Sequence, residues 1–323
     1  MYTVRYYTAQ DFEAWNNFVA ASKNGTFLFN RGFMEYHAHR FEDASLMVFE
    51  GGKIVALLPA HKVDNIVHSH LGLTYGGLVL AFKTRLEDVI VIFSDILKYY
   101  NSAGINNLYV KCIPSIYHKI PSQELEYALF LAKASLVRRD AYSVLEPCAK
   151  KLINRERKRS IQKGVLKGLT IKEDNGFRLF WEKILVPNMQ KKHSVLPVHN
   201  IEEIELLHSR FPELIIQFNV FDNDEIVGGV TIFVMDDVIR PQYISGNSDK
   251  NRLGSLDFLY DFLINERFKG YKYFDFGPSN EDSGKKLNST LAHWKESYGA
   301  RTIVQDFYEV PTANHTLLDA VFV

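Results

Sequence analysis

Val48-Phe-Glu-Gly-Gly-Lys-Ile-Val-Ala56 and Val220-Phe-Asp-Asn-Asp-Glu-Ile-Val-Gly228 are the two stretches that decide the fold. Each reads as a strand, a polar turn and a returning strand, which is the pattern of a β-hairpin. They align without a gap. Val48, Phe49, Ile54, Val55 and Asp64 recur as Val220, Phe221, Ile226, Val227 and Asp236, at a constant offset of 172 residues. Self-similarity at that spacing in a chain of 323 residues predicts two copies of one structural module.

The elements around the hairpins repeat in order. In the first half, Tyr2 to Tyr7 reads as a strand, and Thr8 is placed to cap a helix over Asp11 to Ala21. A second helix covers Arg31 to Arg40, and strands are expected at 45–50, 53–63 and 66–80. Thr84-Arg-Leu-Glu87 reads as a capping box opening a helix to Ser102, which Gly104 stops. A strand at 106–112, a helix from Ser122 and a strand at 135–145 complete this half. The second half predicts a strand at 169–173, helices at 177–192 and 201–209, and strands at 214–222, 225–235 and 238–245. A helix from Ser255 to Phe268 follows, stopped by Gly270, then a strand over Tyr271 to Phe276, a helix over 287–296 and a last strand at 301–309. The expected fold class is α/β with mixed sheets of the α+β type, in tandem modules at 1–147 and 148–323. The second module is the one opened by a basic helix.

Composition limits the function classes. A 46% hydrophobic chain of this length can bury a core in each of two modules. The formal net charge is zero, which excludes a global basic field for nucleic acid but leaves a local one open. No apolar run reaches the roughly 18 residues of a membrane span, and Met1 to Gln10 shows no secretory signal pattern. Two cysteines, Cys112 and Cys148, exclude a disulfide framework and suit a reducing cytoplasm.

The module order resembles that of the GNAT acyltransferase fold. Two such modules in tandem, without a long coiled-coil insertion, resemble the FemAB-like branch, which includes peptidoglycan aminoacyltransferases and related N-acyltransferases. Three stretches carry the likeness in sequence: the basic helix Arg155-Glu-Arg-Lys-Arg-Ser-Ile-Gln-Lys-Gly164, the strand Gly270-Tyr-Lys-Tyr-Phe-Asp-Phe-Gly277, and Trp294-Lys-Glu-Ser-Tyr-Gly299. The resemblance implies transfer of an acyl group to an amine, such as a cell-wall precursor. The donor would be acyl-CoA, an acyl carrier protein or aminoacyl-tRNA, used as a co-substrate with no tightly bound cofactor. It places the acyl group where the fourth and fifth strands of the second module part, and the acceptor in the cleft between modules.

Acyl transfer requires a deprotonated amine, a polarised carbonyl and a held carrier. Resemblance puts Lys295 where the aminoacyltransferases keep a lysine facing the transferred group; it can stabilise an oxyanion, meet a phosphate, or simply complement a helix dipole. Asp275 and Glu281 are candidate bases, and a carboxylate enclosed by aromatics suits proton transfer. Tyr243, on the fourth strand, faces either the acyl group or the core. Arg252, Gly254 and Ser255 lead into a helix N-terminus, which attracts phosphate through free N–H groups. Tyr298 is a further donor contact or a packing residue. The loop Asn251-Arg-Leu-Gly254-Ser-Leu256 departs from the acyl-CoA pattern at Asn251 and Leu256, and Ala81-Phe-Lys-Thr84 lacks glycine altogether. Pyrophosphate binding in the first module is therefore not expected.

From Lys150 to Lys167 stand eight basic residues, Lys150, Lys151, Arg155, Arg157, Lys158, Arg159, Lys163 and Lys167, against the single acid Glu156. Such a helix can meet tRNA or a phosphorylated carrier, or can be a solvated link. The histidines His37, His39, His61, His68 and His70 lack a zinc-site spacing, so no metal is expected. Tyr75 and Gly76, in Thr74-Tyr-Gly-Gly77, mark a close backbone approach that an acceptor could occupy. The degenerate donor loop keeps a second reading open, a non-catalytic tandem module that binds an envelope precursor or polysaccharide.

Overall fold

The computed structural model of the chain describes residues 2–147, 153–193 and 195–323. Cys148, Lys150 and Lys151, and the expected module boundary, touch the stretch outside the described residues. Two compact units form. The first takes Met1–Ala141, Asn280–Lys286 and Val304–Val323, and the second takes Tyr142–Ser279 and Leu287–Ile303.

In the first unit, the strand Tyr2–Tyr6 pairs antiparallel with Leu46–Glu50, which pairs with Lys53–Leu58, which pairs with Val79–Leu80. A second sheet runs from Glu42–Asp43 through His61–Val63 and Ile66–His68 to Asn107–Lys111. The helix Leu86–Ser102 presents Val89, Ile92, Phe93, Ile96, Leu97 and Tyr100 to the core beside Leu46, Val48, Ala56 and Leu58. That spacing of three and four residues puts one helical stripe against the inward face of the hairpin.

The second unit lays Thr170–Asp174, Ile215–Asp222, Glu225–Val234 and Val238–Gly246 side by side, all antiparallel. Tyr273–Pro278 then joins Val238–Gly246 in parallel. The helix from Ser255 covers one face and buries Leu259, Tyr260 and Leu263 among Phe218, Val230, Ile232 and Phe274.

The two hairpins agree beyond sequence. In the first, the register slips between Val48 and Phe49, leaving Val55 as the extra residue; in the second it slips between Val220 and Phe221, leaving Val227. These positions correspond at the 172-residue offset, so the repeat includes the same β-bulge.

Four expectations change. The expected strand 53–63 breaks at Pro59, which has no N–H for the ladder, into Lys53–Leu58 and His61–Val63. The expected strand 66–80 divides into Ile66–His68 and Val79–Leu80, with His70 and Gly77 at positive φ between them. The expected Thr84–Glu87 capping box does not form: the helix starts one residue later, and only the return half is made, with Asp88 accepting from the Arg85 backbone N–H at 2.9 Å, because an arginine N-cap has no acceptor. Gly104 has the left-handed φ of +77° that a helix stop uses, whereas Gly270 is not among the positive-φ glycines.

The last strand of each sequence half belongs partly to the other unit. Residues 142–145 of Ser135–Leu145 pair with Tyr273–Pro278 in the second unit, and residues 307–311 of Arg301–Pro311 pair with Asn107–Lys111 in the first. The compact units are therefore not the contiguous halves of the repeat.

At Gly76 the close backbone approach is internal. A Cβ there would fall 1.9 Å from the Ser69 carbonyl oxygen. At Gly270 a Cβ would meet nothing within 4 Å. Gly76→Ala should lower unfolding stability by about 3 kcal/mol, the upper part of the overpacking range. Gly270→Ala should stay within about 0.5 kcal/mol. Urea denaturation of both variants checks this, and equal effects would contradict the packing at Ser69.

Candidate active site

Val238–Gly246 and Tyr273–Pro278 stay paired only at Val238 with Tyr273 and Ile239 with Phe274. The next residues along the two strands are Arg240 and Asp275, and beyond the paired rungs an ion pair replaces the backbone ladder. Arg240 Nη1 donates to Asp275 Oδ2 at 2.5 Å. Asp275 is fully buried and the Arg240 side chain is 11% exposed. Period-two alternation turns Phe274 and Phe276 the other way, onto Tyr260, with ring centroids 5.6 and 5.3 Å from it.

Asp275 Oδ1 accepts from the Gly277 backbone N–H at 2.7 Å. Gly277 has φ of +75°, open to glycine and strained for other residues, and the register against residues 142–144 slips here. This bulge presents two consecutive carbonyls to one ammonium. Lys295 Nζ donates to Gly277 O at 2.9 Å and to Pro278 O at 2.6 Å. Lys295 lies on the helix Ser289–Glu296 and is 3% exposed. Burial pulls its pKa from the ordinary 10.5 down to about 8, with Asp275 opposing that shift and Arg240 adding to it.

Asp257 forms a second polar centre in the same unit. Its carboxylate accepts from Arg157 Nη1 at 2.6 Å, from the Tyr298 hydroxyl at 2.5 Å and from Trp294 Nε1 at 3.2 Å. One buried carboxylate thus ties the basic helix Arg155–Leu166, the helix from Ser255 and the Trp294–Tyr298 segment together. Tyr298 is a buried packing residue whose hydroxyl is committed to Asp257.

The helix entry at Gly254 is closely packed. Gly254 has φ of +70°, and a Cβ there would lie 2.1 Å from the Ser160 carbonyl oxygen of the basic helix. At Gly164, a Cβ would lie 2.6 Å from the Phe258 side chain. Ser255 is fully buried, with no hydrogen-bond partner for its Oγ among the described residues. Arg252 is exposed and pairs with Asp249 at 2.6 Å. The outer face of the basic helix carries Arg155, Lys158, Arg159, Lys163 and Lys167, all exposed, while Arg157 turns inward.

The other expected residues are dispersed. Tyr243 is buried on its strand, with its ring edge-on to Trp181, and its hydroxyl hydrogen-bonds His199 Nδ1 at 2.5 Å. Burial pushes that hydroxyl up to about 12. Glu281 is exposed and belongs to the first unit, whereas Asp275 and Lys295 belong to the second. The expected grouping of Asp275 with Glu281 thus divides between units. Tyr75 and Gly76, the expected acceptor residues, face the interior of the first unit. Tyr75 is fully buried and donates to Thr26 Oγ1 at 3.0 Å, and Ser69 fills the space in front of Gly76.

Sequence reasoning missed Arg240, Asp257 and His199. Arg240 left one signal, a charge inside the apolar run Val238-Ile-Arg-Pro. Among the described residues, no group of three or more His, Cys, Asp or Glu is placed to hold a metal ion. No helix among them is long and apolar enough to cross a membrane.

These geometries define a mixed α/β fold in two compact units, each built around a copy of the repeated hairpin. The chain is similar in fold to FemX, at 10% identity, with 99% of each chain covered and a TM-score of 0.67. It is also similar to the C-terminal domain of a putative lysylphosphatidylglycerol synthetase from Agrobacterium fabrum, at 13% identity, with 96% and 94% covered and a TM-score of 0.61. The L-PGS structure from Bacillus licheniformis gives 11% identity, the same coverage and a TM-score of 0.61. No protein-family profile and no curated protein sequence matches the chain.

The Lys295 environment predicts a pH dependence. The unfolded chain keeps the lysine proton up to pH 10.5, whereas the folded chain releases it near 8. Between these values the unfolded state binds more protons, so this residue's contribution to stability rises with pH there and falls as pH drops through 8. In urea titrations from about pH 7 to 10.5, stability of the native protein relative to Lys295→Met should climb across that window. A flat difference would place the ammonium in water.

Proposed function

We propose that the chain is an N-acyl- or aminoacyltransferase whose active site is the parting of Val238–Gly246 and Tyr273–Pro278. The observation that carries the proposal is Lys295, a buried ammonium held by the Gly277 and Pro278 carbonyls. An ammonium has three N–H donors, and these two bonds leave one for a reacting carbonyl. In transfer, the acceptor nitrogen attacks the acyl carbon, its proton leaves, and the bond to the carrier oxygen or sulfur breaks as that atom is protonated. Negative charge gathers on the carbonyl oxygen in between. A desolvated, fixed ammonium stabilises that charge more than a mobile one in water. Asp275, with both carboxylate oxygens engaged, serves as a positioning residue: it sets the Gly277 bulge and so aims the lysine.

The same unit favours aminoacyl-tRNA over acyl-CoA as the donor. A phosphate at the helix entry would face the Ser160 carbonyl packed on Gly254, an oxygen that repels it. Five exposed cations on one helix of a chain with zero net charge instead suit the backbone of aminoacyl-tRNA. The resemblance to FemAB-like aminoacyltransferases directs the acceptor search to cell-wall precursors.

The test combines aminoacyl-tRNA, acyl-CoA and acyl carrier protein donors with a panel of amines. Lys295→Ala should cut turnover by about 10²-fold or more while donor affinity holds. Lys158→Glu with Arg159→Glu should raise KM for charged tRNA and flatten its salt dependence, leaving kcat unchanged. Full turnover by Lys295→Ala would overturn the catalytic assignment. Transfer from acyl-CoA alone would overturn the donor assignment. Binding of a cell-wall precursor with no transfer from any donor would favour a binding module.

A further inference from the structure

His37, His61 and His70 meet inside the first unit, around one turn of the chain. They are 1%, 1% and 6% exposed. The His70 ring centroid lies 5.4 Å from that of His37 and 5.3 Å from that of His61, and the Phe41 ring packs against all three at 5.0, 4.6 and 5.1 Å. His37 stands in the segment Glu35–Arg40, and His61 begins the strand His61–Val63. His70 opens a turn that closes where the Leu73 N–H donates to the His70 carbonyl oxygen at 3.1 Å. The turn lies directly on the other two rings. A Cβ on Gly72 would fall 2.5 Å from His37 Nε2, and His61 Nδ1 accepts from the Leu71 backbone N–H at 3.4 Å.

The His61 bond fixes a tautomer. A neutral imidazole has one N–H and one lone pair, so His61 carries its proton on Nε2 and meets Leu71 with the Nδ1 lone pair. A second proton can enter only at Nδ1, where it displaces the Leu71 N–H. Protonation of this ring and closure of the turn therefore exclude each other. The surroundings compensate an imidazolium poorly. Asp43 is the carboxylate that acts on His61, and its two oxygens are engaged by Arg31 Nη1 and the Ser45 backbone N–H. The cations Arg31, Arg40 and Lys111 and the imidazoles His39 and His68 also act on the cluster, and the Tyr36 ring stands edge-on to His37. Among the described residues, His37 Nδ1 and Nε2, His61 Nε2 and His70 Nδ1 have no hydrogen-bond partner. Burial pulls His37 and His61 from the ordinary 6.5 down to about 4, and His70 lower still. An opened turn restores the ordinary value and so binds more protons below 6.5. Closure is thus full above 6.5 and weakens as pH falls from there towards 4.

We propose that these histidines form an acid-operated latch. A solvent proton on His61 Nδ1 expels the Leu71 N–H, His37 and His70 take up protons as they are uncovered, and the turn His70–Leu73 opens while the rest of the first unit stays folded. The latch stands on the first unit alone and does not depend on the transfer reading.

Residue-resolved amide hydrogen exchange of the full chain tests it, with each rate divided by the intrinsic rate at the same pH. Each histidine released should contribute about twentyfold between pH 7 and 5, so protection of the Leu71 amide should fall about 10²-fold or more, beyond what one group supplies. Protection of Phe93, inside the helix Leu86–Ser102, should hold across that range. His61→Asn keeps an acceptor for the Leu71 N–H without titrating, and should cut the pH response of Leu71 by about tenfold or more. His70→Asn, which suits the left-handed φ of +66°, should cut it likewise. If His61→Asn does not fold, His70→Asn decides. Leu71 protection that stays flat with pH, an equal loss at Phe93, or a response unchanged in the folded variants would each overturn the latch.

Discussion

The Arg240–Asp275 ion pair sits where two parallel strands stop pairing, and the second unit's site depends on it. A carboxylate with no exposed surface is costly to desolvate unless charge and hydrogen bonds compensate it. Here the guanidinium satisfies one oxygen and the Gly277 N–H satisfies the other. The second bond bends the strand at its glycine, and the bend turns the Gly277 and Pro278 carbonyls onto Lys295. Strand parting, bulge and lysine placement are thus successive consequences of one buried pair.

Asp257 plays the equivalent part for the surrounding helices. Three donors from two segments converge on it, and two glycines, Gly164 and Gly254, let the basic helix approach closely. The consequence is a sorting of charge: Arg157 is consumed inside, and the remaining described basic residues of the helix face outward. A helix that in sequence is only rich in cations becomes, once packed, an oriented positive face.

Much of the fold was legible because the periodicities are local. The hairpins at Val48 and Val220 share alternation, turn and bulge, and the helix from Leu86 shows its apolar stripe plainly. The misreadings came where tertiary needs override a local pattern. Pro59 reads as a minor defect in a long apolar run, yet its missing N–H ends the ladder. Tyr75 and Gly76 look like a binding turn, yet the turn folds onto its own Ser69 carbonyl. Of the candidate site, Lys295 and Asp275 were found through neighbouring motifs; Arg240 and Asp257 were not, because their partners lie 35 and 100 residues away along the chain.

Sequence alone determined the repeat, the element order and the placement of Lys295 after a tryptophan on the helix expected over 287–296, since each rests on short-range pattern. Only the tertiary structure decided which unit each final strand completes. Residues 142–145 and 307–311 read as ordinary apolar and aromatic strands, and any open sheet edge can satisfy their N–H and C=O groups. It also decided that Lys295 is buried and Glu281 is not, because burial depends on what packs over a side chain, and no local spacing records that.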